Sequence, residues 1–268
     1  MSIVKNKSSL QKRIGRFFDY KKNERYSAVD FLISISKTHK VYIFGGMIRD
    51  IATLGLSAFK SDIDLVVDAS RDEIYSFLIS HNPESLTKNK FGGFRVHLGL
   101  WDIDIWSIRD TWAIKNDMIT YTGIESILNT TLMSWDSILY DVQDKKIICG
   151  EKYFSDLIRG RLELVLSKNP NSLGSIVRIF RTIIGKHADI LGYKICDYIL
   201  YSLSIFSEGD IISYEKNNYR SLFITKERID LVKRKIESKS FKKSPDEDLF
   251  IGDLSLSPRQ LDFWKDKY

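Results

Sequence analysis

The segment "VYIFGGMIRDIATLGLSAFKSDIDLVVDAS", residues 41–70, restricts the possible folds more than any other part of this 268-residue chain. "VYIF" is β-branched and aromatic and stops at Gly45-Gly46, which predicts a short buried strand. "MIRDIATLGL" predicts a helix that starts from those glycines, and "DIDLVV" predicts a second strand. A strand that hands over to a helix through two glycines exposes backbone N–H groups at the helix start, where an anion can approach closely. Arg49, in the first helical turn, is placed to reach a phosphate oxygen.

Asp62 and Asp64 share one face of the second strand, since side chains alternate, and stand roughly 6.5–7 Å apart along it. Like charges at that spacing raise each other's pKa unless a cation lies between them. The flanking "LVV" marks the strand as buried, which makes idle charges costly. Magnesium takes carboxylate oxygens and keeps positions open for phosphate. In "WDIDIWSIR", Asp102 and Asp104 alternate with apolar residues, and either could complete a three-carboxylate cluster holding two metal ions.

Around this segment, "SAVDFLISISKTH" and "RDEIYSFLISH" predict helices, and "FRVHLGL" with "WDIDIWSI" predicts a hairpin. From about residue 120 the periodicities are mostly helical, and "KSPDED" (243–248) predicts a turn. Residues 1–26 form a basic arm with eight Lys and Arg against Asp19 and Glu24; residues 226–243 carry eight against three. Both stretches suit a polyanion such as RNA, and both also suit solvated helix faces. Phe17, Phe18 and Tyr20 beside the basic residues would either stack on RNA bases or pack on the core. No apolar run of membrane-spanning length occurs, and the polar, basic start does not read as a secretory signal. Cys149 and Cys196 are far apart and have no metal-ligand spacing, so a cytoplasmic location with reduced thiols is expected. The four histidines are scattered and make no metal-ligand pair.

"FGGMIRD" followed by "SDIDLVV" resembles the head of class II template-independent RNA nucleotidyltransferases. These are the bacterial-type CCA-adding enzymes and poly(A) polymerases of the DNA polymerase beta superfamily. "FGGFRV" (91–96) and "DIWSIR" (104–109) fit the family's next strands, which makes Asp104 the third carboxylate and Arg109 the matching arginine. "YFSDLIRGRLELVL" looks like the family's Asp-Leu stretch, and "SIVRIFRTIIGKHADILGYKI" looks like its Arg-x-x-Arg helix, with Arg178 and Arg181 matching. The resemblance spans residues 41–195. It implies an α+β fold: a polymerase-beta-like head, a small mixed sheet with helices, followed by a helical neck-like region. The expected divisions are 1–26, 27–145 and 146–268.

By that resemblance, Asp62, Asp64 and Asp104 hold two Mg2+ ions. Gly45, Gly46, Arg49, Arg109, Arg178 and Arg181 bind a nucleoside triphosphate, ATP or CTP. The expected reaction moves a nucleoside monophosphate to an RNA 3′ end, tRNA by resemblance, and releases pyrophosphate.

Departures from the family pattern fall in the selection elements. The Arg-Arg-Asp motif should lie near "ILNTTLMSWDS", where neither arginine is present and Asn129 stands at the acidic position. The Glu-Asp-x-x-Arg element maps to "GSIVR", which keeps Arg178 but has Gly174 and Ser175 at the acidic positions. The chain beyond residue 200 is shorter than the family's body and tail. Three alternatives therefore stand beside RNA tailing. One is a toxin or phage-defence enzyme that blocks tRNA ends or nucleotidylates a protein. The others are a non-catalytic RNA-binding module and small-molecule nucleotidylation, which usually goes with Gly-Ser in place of "GGMIRD".

Overall fold

The apolar runs and glycine breaks of the first half build one seven-stranded mixed sheet. The computed structural model describes residues 3–19, 25–59, 62–239 and 247–252. The chain divides into two units, residues 1–131 with 135–158, and residues 132–134 with 159–268. No helix among the described residues is long and apolar enough to cross a membrane.

The first unit starts with α1 (Lys7–Phe18) and α2 (Tyr26–Ser36), followed by β1 (Lys40–Phe44) and α3 (Gly46–Thr53). Next come β2 (Ile63–Asp68), α4 (Arg71–His81), β3 (Ser85–Lys88), β4 (Phe94–Leu98) and β5 (Trp101–Ser107). The short α5 (Trp112–Lys115), β6 (Ile138–Asp141), β7 (Lys146–Cys149) and α6 (Tyr153–Arg159) complete the series, and the division falls at the last residue of α6. Two helix starts are fixed by side-chain caps. Asn6 accepts from the Ser9 N–H before α1, and Ser70 with Glu73 forms a capping box before α4.

The strand order is β3-β4-β5-β2-β1-β6-β7. Every described pairing in this sheet is antiparallel except β2 with β5. Parallel neighbours need a long crossover, which α4, β3 and β4 supply. The alternation in "WDIDIWS" gives β5 one fully buried face, Trp101, Ile103, Ile105 and Ser107, while Asp102, Asp104 and Trp106 on the other are partly exposed. After residue 120 the described elements are mostly helical, as expected, but β6 and β7 add two strands to the sheet that the periodicity does not announce. "ILYD" and "KIIC" are four-residue strands, too short to show a period of two.

Part of the predicted basic arm is core. Leu10, Ile14 and Phe17 of α1 are buried, and Phe17 meets the rings of Phe18, Phe59 and Trp101 edge-on. Phe17 is therefore occupied with packing, and Tyr20 lies outside the described residues.

The second unit holds β8 (Arg161–Leu162), α7 (Ser172–Gly185), β9 (Ile190–Gly192), α8 (Tyr193–Ile205), α9 (Glu208–Asn218), α10 (Lys226–Glu237) and β10 (Asp248–Phe250). Its three short strands run in the order β10-β9-β8. Asn171 caps α7 by accepting from the Gly174 N–H, and the helix buries Ile176, Val177, Ile179, Phe180, Ile183 and Ile184. The turn predicted at 243–248 lies, up to residue 246, outside the described residues.

Candidate active site

Phe44, the last residue of β1, is the register partner of Asp64 on β2. The turn at Gly45-Gly46 therefore emerges at the end of the sheet where Asp62 and Asp64 enter. Gly45 has φ +62°, and a Cβ there would lie 3.3 Å from the Asp136 carbonyl oxygen. Its N–H donates to the Ile138 carbonyl at 2.9 Å, so that donor serves the sheet. Gly46 opens α3, and the first N–H groups of a helix have no partner within it.

Arg49 is buried behind this turn. Its Nε donates to Asp50 Oδ1 at 2.9 Å and its Nη1 donates to Asp136 Oδ1. Burial acts to lower the guanidinium pKa, but Asp136 and then Asp50 outweigh it and hold it above its ordinary value. The Tyr153 hydroxyl, pushed up by burial, donates to the Trp135 carbonyl at 3.0 Å beside this pair. The arginine expected at a phosphate is here a fastening between α3 and Asp136. Asp136 was missed from the sequence. An isolated acid inside the apolar "SWDSILY" was the available signal, because such a charge needs a buried partner.

The carboxylates gather where β2 runs beside β5. Asp64 and Asp104 are direct register partners across the parallel pair. On the other side of β5, Arg95 of β4 is the antiparallel partner of Asp104. The Arg95 Nε donates to Asp104 Oδ1 at 2.8 Å, and its Nη2 donates to Asp104 Oδ2 at 2.5 Å and to Asp62 Oδ2 at 3.0 Å. One guanidinium thus grips two of the three predicted carboxylates. The bonds to Asp104 raise the Arg95 pKa, with the charges of Asp104, Asp62 and Asp102 adding to them. Asp62 is half-exposed; partial burial, together with Asp104 and Asp102, raises its pKa although Arg95 opposes this. Asp102 instead accepts from His97 Nδ1 at 2.9 Å, with the proton assigned to that nitrogen. That bond raises the His97 pKa.

Among the described residues, no group of three His, Cys, Asp or Glu side chains is drawn together to hold a metal ion. The donor chemistry nevertheless fits magnesium. All three candidates are hard carboxylate oxygens, and Asp62 and Asp104 already converge on a single cationic nitrogen.

The remaining arginines differ in their surroundings. Arg109 is exposed just past β5, and its charge reaches the Tyr121 hydroxyl, whose pKa burial and Asp68 raise. Arg178 and Arg181 lie in the second unit, one turn apart on α7. Arg178 is exposed, and Arg181 is partly buried. Its Nη1 donates to Glu215 Oε1 at 2.5 Å and to the Ser221 carbonyl at 2.6 Å. Its guanidinium also lies 3.9 Å from the Tyr219 ring centroid and 4.8 Å from that of Phe223. Glu215, 1% exposed, accepts in addition from the N–H groups of Phe223 and Ile224.

No family model matches the sequence, and no curated protein matches it. Solved structures do. The chain is similar to a Thermotoga maritima CCA-adding enzyme complexed with tRNA, at TM-score 0.56 and 16% identity over 84% of this chain and 54% of that one. It is similar to a tRNA nucleotidyltransferase complexed with a primer tRNA and an incoming ATP analogue, at TM-score 0.53 and 16% identity over 76% and 58%. A tRNA-processing enzyme in an apo form gives TM-score 0.53 and 17% identity over 81% and 58%. The chain thus spans 54% to 58% of the length of these three proteins. At such identities the likeness establishes the fold, a mixed α+β architecture similar to the head and neck regions of CCA-adding enzymes.

Proposed function

We propose that the chain is a template-independent nucleotidyltransferase that transfers a nucleoside monophosphate from ATP or CTP to the 3′ end of an RNA, with tRNA as acceptor. The observation that carries this reading is the register match of Asp64 with Asp104, set beside the Gly45-Gly46 turn. The neighbours with bound tRNA or an ATP analogue support the choice of acceptor and nucleotide by analogy of fold.

Asp62, Asp64 and Asp104 would hold two magnesium ions. When bound, the ions would lower the pKa of the acceptor hydroxyl and stabilise charge on the departing pyrophosphate. The chain's own contributions are positional. The start of α3 offers N–H groups and a positive dipole end to the triphosphate. Arg49 and Asp136 hold that helix start in place, and exposed Arg109 is a candidate phosphate donor. Within the second unit, Arg178 on α7 is the candidate nucleotide-binding side chain, with Arg181 as the scaffold of its helix.

A second reading keeps the chemistry and changes its use, to blocking tRNA ends or nucleotidylating a protein. Gly174 and Ser175 at the acidic selection positions favour it, since neither can accept as a carboxylate does. Incubation with tRNA, total RNA and each α-labelled nucleoside triphosphate tests both. Labelled tRNA supports either reading, and a labelled protein band supports only the second. RNA binding without any label removes both and leaves a binding module.

A further inference from the structure

We propose that Arg95 is a built-in counter-cation of the catalytic carboxylates, one that competes with divalent metal for Asp104 and Asp62 and so sets the metal affinity of the site. The inference rests on the reading of Asp62, Asp64 and Asp104 as a metal site. It adds a residue that the family motif does not contain.

The argument starts from charge. Asp64 and Asp104 sit opposite each other on neighbouring strands, with Asp62 two residues from Asp64. Acids gathered in this way repel one another unless a positive group joins them. Arg95 provides that group from the next strand. Its planar fork takes both oxygens of Asp104 and extends to Asp62. The carboxylate oxygens it occupies are the ones a magnesium ion would need. Guanidinium and metal cannot share one lone pair, and two cations on the same oxygens repel, so the Arg95 fork and a bound metal oppose each other. The side chain is nearly half-exposed, at 45%, and β4 has its N-terminal end at the Asn89–Gly93 turn. Departure therefore moves an exposed side chain into solvent and opens no core.

The exchange has a functional consequence. A released Arg95 remains beside the carboxylates as a positive group available to triphosphate oxygens. Metal and nucleotide arriving together replace one cation by others, and the carboxylates are neutralised throughout. A metal ion alone must work against the fork.

Manganese binding to the full chain, read by the EPR signal of free Mn2+, tests this with wild type, Arg95→Gln, Arg95→Lys and Asp104→Asn. Arg95→Gln is expected to bind Mn2+ about tenfold more tightly, the size of one charge-assisted hydrogen bond removed from the competitor. Arg95→Lys should fall between it and wild type, because an ammonium keeps the charge and loses the fork. Asp104→Asn should bind more weakly than wild type. Equal or weaker binding by Arg95→Gln with a native circular dichroism spectrum overturns the proposal. If that variant does not fold, Arg95→Lys decides the matter: tighter binding supports competition, and unchanged binding removes it. Nucleotide transfer is scored separately. Tighter manganese binding without label on any acceptor keeps Arg95 as counter-cation and removes the enzymatic reading. Labelled tRNA with unchanged manganese binding removes the role of Arg95 alone.

Discussion

Asp64 and Asp104 are partners across a parallel pair of strands, so their side chains leave the sheet on the same face at the same level. Substituting either with Asn removes a charge from that face and leaves the buried faces of β2 and β5 untouched. Nucleotide transfer is expected to fall at least about hundredfold for Asp64→Asn, since metal-held charge stabilisation is worth several kcal/mol. The circular dichroism spectrum and urea midpoint should stay close to wild type. Near-normal transfer by the variant would remove Asp64 from the site.

The Gly45 turn gives a prediction about backbone strain. With φ at +62° and the Asp136 carbonyl 3.3 Å from the site of a Cβ, Gly45→Ala is strained on both counts. A loss of about 1–2 kcal/mol is expected from the left-handed backbone alone, read as a lower urea midpoint. Transfer should weaken further, because the start of α3 is displaced from its place beside Asp64.

Arg181 is expected to affect stability more than base choice. Arg181→Ala leaves Glu215, 1% exposed, without this counter-cation and held by backbone N–H groups. Breaking a buried pair from one side costs about 3–5 kcal/mol, so the second unit should unfold at a clearly lower denaturant concentration. Arg181→Lys should recover part of that loss, because lysine keeps the charge but lacks the flat group lying against Tyr219. Unchanged stability together with altered nucleotide preference would return Arg181 to the role expected from the motif.

The thiols respond to pH in a defined direction. Burial pushes the Cys196 thiol up to about 12, and it raises that of half-buried Cys149 as well. The reactive form is the thiolate, so a raised pKa keeps both groups protonated at pH 8. In the native protein Cys196 should stay inert to a disulfide reagent at pH 8 and react promptly once urea is added. Fast native labelling of Cys196 would contradict its burial.

Much of this architecture is legible in the chain. The glycine break after "VYIF" marks the β1–α3 turn, and the alternation in "WDIDIWS" marks β5. Two things are not legible. The short strands β6 and β7 offer too few residues for a period to register. The partners of the arginines depend on register and distant contacts, which spacing along one strand does not carry. Arg95 appears in "FRV" as an ordinary outward residue, and only the alignment of β4 with β5 puts it on Asp104. Arg49 is positioned by the motif as a phosphate donor, while its guanidinium donates to the adjacent Asp50 and to Asp136, distant in the sequence.

The β4–β5 hairpin has a consequence for how the sheet assembles. Arg95 and Asp104 are nine residues apart and meet through a local turn, whereas Asp104 meets Asp64 across a long parallel crossover. Local hairpins close earlier than distant parallel pairings. The acid thus reaches the junction already escorted by its own base, and the more distant parallel pairing is not asked to bring two bare negative charges together.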